Sequence, residues 1–124
     1  MATVEDLQRI VASLPEATVG VNESGQFHAD VAGKGFAWTW MERVVPGKPR
    51  APRPDVLAVR VANQDDKESL LASDSQKFFT EPHYNGFPAV LVRLSEVDAD
   101  ELKELLIDAW RTRAPKKLLK DSGL

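Results

Sequence analysis

The sequence contains no cysteine. Disulfides, thiolate catalysis, iron–sulfur clusters and cysteine-ligated zinc are therefore excluded. Histidine is scarce too: His28 and His83 are the only two, far apart and with no close carboxylate pair at ligand spacing. No metal site built from side chains is expected, and no cofactor is implied. No apolar stretch approaches the ~20 residues needed to span a bilayer, so no membrane partner is expected. The first thirty residues hold no basic start followed by an apolar run; a secretory leader is not expected, and the default location is the cytoplasm. No serine stands in a Gly-x-Ser-x-Gly elbow. Gly33-Lys34-Gly35 lacks the Walker spacing and reads as flanked by strands, so it is not a phosphate loop. Enzyme chemistry finds no foothold, and the chain is read as a non-enzyme.

What is present fits one soluble globular domain over residues 1–124. The chain is 13.7 kDa, with 43% hydrophobic and 28% charged residues. The net charge of −3 is unevenly spread. Residues 1–33 carry −4, residues 34–62 carry +4, residues 63–110 carry −7 and residues 111–124 carry +4. Two basic segments thus sit in an acidic chain. A polyanion docks on them if the fold brings them to one face; otherwise they belong to a solvated surface of mixed sign.

Patterning gives the elements. Thr3 with Asp6 makes a capping-box-like start. Val4, Leu7, Ile10, Val11 and Leu14 follow at helical spacing until Pro15 stops the helix. Thr18–Val21 reads as a short strand. Phe27 to Met41 reads as a hairpin turning at Gly33-Lys34-Gly35, with Phe36, Trp38 and Trp40 on one strand face. Pro46 to Pro54 carries four prolines among Gly47, Lys48, Arg50 and Arg53, and reads as a loop of polyproline character projecting between two strands. Val56–Ala62 is a strand. Asn63 caps a short helix over Asp65–Ala72. Phe78 and Phe79 are extended, Glu81–Pro88 is a turn region, and Ala89–Leu94 is the clearest strand. Asp98 with Glu101 opens a last helix, Ala99 to Arg113, with the stripe Leu102, Leu105, Leu106, Ala109 and Trp110. Pro115 ends it before a short basic tail. This order predicts an α+β fold: an antiparallel sheet with helices packed on one face.

Each candidate site has a plain alternative. His83 lies in Thr80-Glu81-Pro82-His83-Tyr84-Asn85-Gly86 and reads as a polar pocket near neutral pH, or as a turn in which His83 and Tyr84 satisfy local backbone groups. Trp38 and Trp40, with Phe36, stack bases or line a ligand groove, or else they are core packing under a helix. Arg60 and Arg93 lie opposite the apolar faces of their strands; if those strands are neighbours, the two guanidinium groups bind phosphate or carboxylate, or bridge a dimer. Asp65, Asp66 and Glu68 read as a solvated helix start.

The run Phe78 to Leu94, F-F-T-E-P-H-Y-N-G-F-P-A-V-L-V-R-L, is the most specific segment. Together with Val97–Leu102, the ending Ala109-Trp110-Arg111 and Ala114–Leu118, Leu14–Ala17 and Val56–Val61, it resembles the MmcQ/YjbR family over roughly residues 4–120. The resemblance implies a compact α+β domain similar to type III secretion chaperones. Its "double wing" of hairpins implies contact with duplex DNA. It offers no catalytic residues. Two features depart from it: the acidic net charge and the proline-rich loop. The expectation is a DNA-binding module in which Lys48, Arg50 and Arg53 of the loop and Arg113, Lys116 and Lys117 of the tail neutralise phosphates from one side of the molecule. The alternative is a chaperone-shaped domain that binds a protein or small ligand through the Trp38/Trp40 face, the His83–Tyr84 turn or the Arg60/Arg93 face. A monomer or weak dimer is expected.

Overall fold

The capping box forms as its spacing predicts. The Thr3 hydroxyl accepts from the Asp6 amide and the Asp6 carboxylate accepts from the Thr3 amide, which satisfies two orphan donors of α1 (Val4–Ser13). The computed structural model describes residues 2–21, 23, 26–42, 47, 49 and 51–123, with backbone alone at 42, 52, 54 and 83. Within them run β1 (Ala17–Val21), β2 (Phe27–Val31), β3 (Lys34–Glu42), β4 (Ala51–Arg60), α2 (Gln64–Ser73), β5 (Phe78–Phe79), β6 (Ala89–Arg93), α3 (Ala99–Arg113) and α4 (Lys116–Ser122). The strands form one antiparallel sheet in the order β1-β2-β3-β4-β6-β5, so the expected α+β architecture is the observed one. No helix among the described residues is long and apolar enough to cross a membrane.

Helices α1 and α3 cover one sheet face. Leu7, Ile10 and Val11 of α1 and Leu102, Leu106, Ala109 and Trp110 of α3 pack on Ala29, Val31, Leu57, Val59, Val90 and Val92. Trp110 is fully buried, and its indole N–H donates to the Pro15 carbonyl across 95 residues of chain. That bond ties α3 to the end of α1.

Four local expectations are corrected. The β2–β3 turn is Ala32-Gly33 rather than Gly33-Lys34-Gly35. Both residues have positive φ, 52° and 76°, as a two-residue turn matching strand twist requires. A bulge leaves Phe36 as an extra residue between the pairs Asp30↔Gly35 and Ala29↔Ala37. Phe36 and Ala37 therefore both enter the helix-side core, and Phe36 parts company with Trp38 and Trp40. Strand β4 begins at Ala51, inside the stretch read as a loop, with Pro52 opposite Met41 and Arg53 opposite Trp40. It tolerates proline because β6 pairs only with Val56–Arg60, leaving residues 51–54 with a neighbour on one side only. The basic tail is helical: α4 lays Leu118 and Leu119 against the core.

Leu106 is fully buried in the α3 stripe. Leu106→Ala is expected to cost about 2–5 kcal/mol by chemical denaturation, because it opens a cavity under α3. A loss under about 0.5 kcal/mol, the scale of an ordinary surface change, would mean that the stripe is not core.

Candidate functional site

The sheet face away from α1 and α3 is largely apolar, and no long helix among the described residues covers it. Trp38 and Trp40 of β3 stand there beside Val56 and Ala58 of β4, Ala89 and Leu91 of β6, and Phe79 of β5. The β5–β6 connection folds back over this face. Pro82 opens a single 3₁₀ turn, Pro82–Tyr84, that sets the Tyr84 ring down on the sheet, where it is buried. The Trp38 indole N–H donates to the Tyr84 hydroxyl at 3.0 Å. Edge-on contacts continue from there: Trp38–Phe87 at 6.2 Å, Tyr84–Phe87 at 6.0 Å and Trp40–Phe79 at 5.5 Å. Such pairs contribute roughly 0.5–1.5 kcal/mol each beyond the area they bury. The aromatic stripe is thus engaged by the chain's own turn. His83 belongs to this turn by its backbone; its side chain lies outside the described residues.

Helix α2 holds the connection in place. Asn63 caps it by accepting from the Asp66 amide. One turn later the Lys67 side chain is buried, and its ammonium donates to the carbonyls of Tyr84 at 2.5 Å and Phe87 at 2.9 Å. Gln64 donates to the Gly86 carbonyl at 3.0 Å. Burial pushes the Lys67 amine below the usual lysine range. Nothing in Asp65-Asp66-Lys67-Glu68 distinguishes this lysine from its solvated neighbours. The sequence gives no signal for it, because its partners are main-chain carbonyls seventeen and twenty residues away.

Arg60 and Arg93 share the face, but not one site. Arg93 sits opposite Val56 and Arg60 opposite Ala89, at the two ends of the β4–β6 ladder. The Arg93 guanidinium lies 4.1 Å over the Phe79 ring and donates to the carbonyls of Ser75 and Gln76, both at 3.1 Å. Arg60 lies 5.2 Å over Phe87. Burial, with the nearby Arg113 guanidinium second, holds the Arg60 pKa below the usual arginine value.

Of the loop cations, Lys48 and Arg50 lie outside the described residues. Arg53 is held by Asp55 through two bonds of 3.1 Å, a bidentate pair that keeps the Asp55 carboxyl below its ordinary value. Arg53 is level with Trp40, whereas Arg60 is level with Phe36 by the Ala37↔Val59 register. Four residues of β3 separate them, roughly 13 Å. The Arg113 guanidinium bears on the charge of Arg60, which stands at the other end of the β3–β4 ladder from Arg53. Lys116 and Lys117 are exposed on the first turn of α4.

The chain is similar to known proteins in sequence and in fold. The YjbR family model matches residues 12–112. The uncharacterized proteins Rv2570 of Mycobacterium tuberculosis and Mb2600 of Mycobacterium bovis are each 36% identical over 125 residues, covering 96% of this chain and 94% of theirs. The crystal structure of Deinococcus radiodurans protein DR2400, a DUF419 domain, superposes with a TM-score of 0.66 at 24% identity, covering 100% of this chain and 90% of that one. That likeness is one of fold.

Lys67→Met is expected to destabilise the protein by about 1–3 kcal/mol, since it strips a donor from two covered carbonyls. Because the folded-state pKa of Lys67 is lowered, burying the charged amine costs stability at neutral pH. That cost is relieved as pH rises through the lowered pKa toward 10.5. The stability gap between wild type and Lys67→Met is therefore expected to widen toward pH 10.5 in urea titrations. A gap that narrows would show that the two carbonyls outweigh desolvation.

Proposed function

The chain belongs to the YjbR family, and from that premise we propose that it is a non-enzymatic module that contacts the phosphate backbone of duplex DNA through its C-terminal basic surface. The observation that carries this reading is the disposition of cations at the end of the chain. Arg111, Arg113, Lys116, Lys117 and Lys120 follow within ten residues on α3 and α4. Only Arg111 among them has a carboxylate partner among the described residues, Asp108 at 3.4 Å. Leu118 and Leu119 pack on the core, which fixes α4 and keeps its exposed lysines in solvent. Cations on packed helices, four of the five without a carboxylate partner among the described residues, suit a polyanion more than they suit folding.

The β3–β4 hairpin is the secondary contact in this reading. Beyond Thr39 its two strands pair with each other, and β6 no longer accompanies them. It extends from the sheet as a wing. Arg53 at its base is already neutralised by Asp55, so the wing contributes shape there more than charge.

Titration of a fluorescent duplex at two salt concentrations tests the proposal. Binding is expected to weaken steeply with salt, by a slope of about −0.9 per phosphate neutralised. The double change Lys116→Gln with Lys117→Gln is expected to reduce that slope by about 2 and to weaken binding equally on unrelated sequences. Arg53→Gln is expected to change it little. Absence of binding at low salt, or a slope untouched by the double change, would remove the C-terminal surface from consideration.

A further inference from the structure

The end of β4, helix α2 and the C-terminal half of α3 border a groove of about 540 Å³. That volume lies inside the roughly 300–1,000 Å³ range typical of small-ligand sites. Its apolar wall is Val59 and Val61 from β4, Leu70 from α2 and Leu105 from α3. Leu105 belongs to the stripe expected to be core, yet it is only half-buried, because here the stripe faces the groove and not the sheet. The structure leaves apolar surface uncovered between two of its own helices.

The charges of the groove are not balanced alike. Arg111 is paired with Asp108. Asp66 stands in the first turn of α2, where the N-terminal dipole already favours a carboxylate. Arg60 has no carboxylate partner among the described residues. Its guanidinium lies over Phe87, where burial first and the Arg113 guanidinium second disfavour its charge. Arg113 has a buried Nε with no hydrogen-bond partner. Arg60 lines the groove, and Arg113, next in the chain to the groove's Thr112, has an unused buried donor. A buried unsatisfied donor costs about 1–3 kcal/mol, and an anion within its reach offsets that cost.

We infer that this groove binds a small amphipathic anion, with an apolar body against Val59, Leu70 and Leu105 and a single carboxylate or phosphate beside Arg60. The groove borders the basic surface of the DNA reading and shares Arg111 with it, but it needs neither Lys116 nor Lys117, so the lysine changes and the head-group series test the two readings separately. The two sources of such an anion, a fatty-acid-like carboxylate and a phosphate monoester, share the head-group chemistry and differ in charge at neutral pH.

The test uses the unaltered full chain and a head-group series on one tail: decanoate, decyl phosphate, decanol and decyltrimethylammonium. Each is titrated below its micelle concentration and followed by methyl NMR. Decanoate or decyl phosphate is expected to give saturable shifts at Val59, Leu70 and Leu105, and whichever binds tighter identifies the source. Decanol is expected to bind roughly tenfold weaker or worse, the scale of one lost charge-assisted hydrogen bond. Arg60→Gln is expected to bring the anions down to the level of the alcohol. Equal binding of decanol and decanoate, preference for the quaternary ammonium, shifts elsewhere on the surface or no saturation would each overturn the inference. The head-group series decides the matter on the unaltered chain even if Arg60→Gln does not fold.

Discussion

A sheet with helices on one face must find another cover for its second face, and here a single ammonium group holds that cover down. Lys67 reaches from α2 to the carbonyls of Tyr84 and Phe87. The connection it grips carries the Tyr84 ring onto Val56, Ala58, Ala89 and Leu91. Without that grip, the nine residues from Thr80 to Pro88 would be held by the aromatic contacts and by the bonds from Gln64 to Gly86, from Trp38 to Tyr84 and from Val61 to Pro88. Desolvating an ammonium is costly. The cost is tolerated because two carbonyl oxygens replace part of the lost water, and because the same groups order the segment whose Tyr84 and Phe87 rings pack on Trp38. The two cores are thus coupled, since α2 packs Leu70 and Leu71 on the helix-side core while it pins the second one.

What the sequence revealed and what it concealed follow from the range of the forces involved. The helix caps at Thr3, Asn63 and Asp98 are legible because cap and partner lie three residues apart. Helix α3 is legible because fifteen residues sustain one stripe. Helix α4 is not: seven residues with one apolar pair, Leu118-Leu119, carry too little periodicity, and packing rather than propensity makes them helical. The start of β4 is concealed for the opposite reason. Proline signals the loss of a ladder donor, but whether that donor is needed depends on whether a neighbouring strand reaches it, and β6 stops short. The Phe36 bulge defeats a strict two-residue alternation for the same kind of reason.

The candidate site divides along the same line. The basic character of the C-terminus is readable from composition, and the structure adds that it rides on a packed helix. Arg60 and Arg93 do occupy neighbouring strands, but register places them at opposite ends of the ladder and gives each its own phenyl ring. Arg93 then spends its guanidinium on the carbonyls of Ser75 and Gln76, which fixes the turn into β5. Two residues of one type, on one face, thereby serve different ends.

The proline-bearing start of β4 has a consequence for the chain in company. An exposed hairpin edge is a template: its free amides and carbonyls invite a strand from another molecule, and stacked edges grow into aggregates. Across Ala51-Pro52-Arg53-Pro54, every second residue has no amide hydrogen to offer. Such residues fit a paired strand only where their nitrogens face away from the partner. Along residues 51–54 the outer margin of β4 is therefore stripped of donors, and an incoming strand finds no full ladder to complete there. That stretch of edge is thereby guarded against pairing with copies of itself.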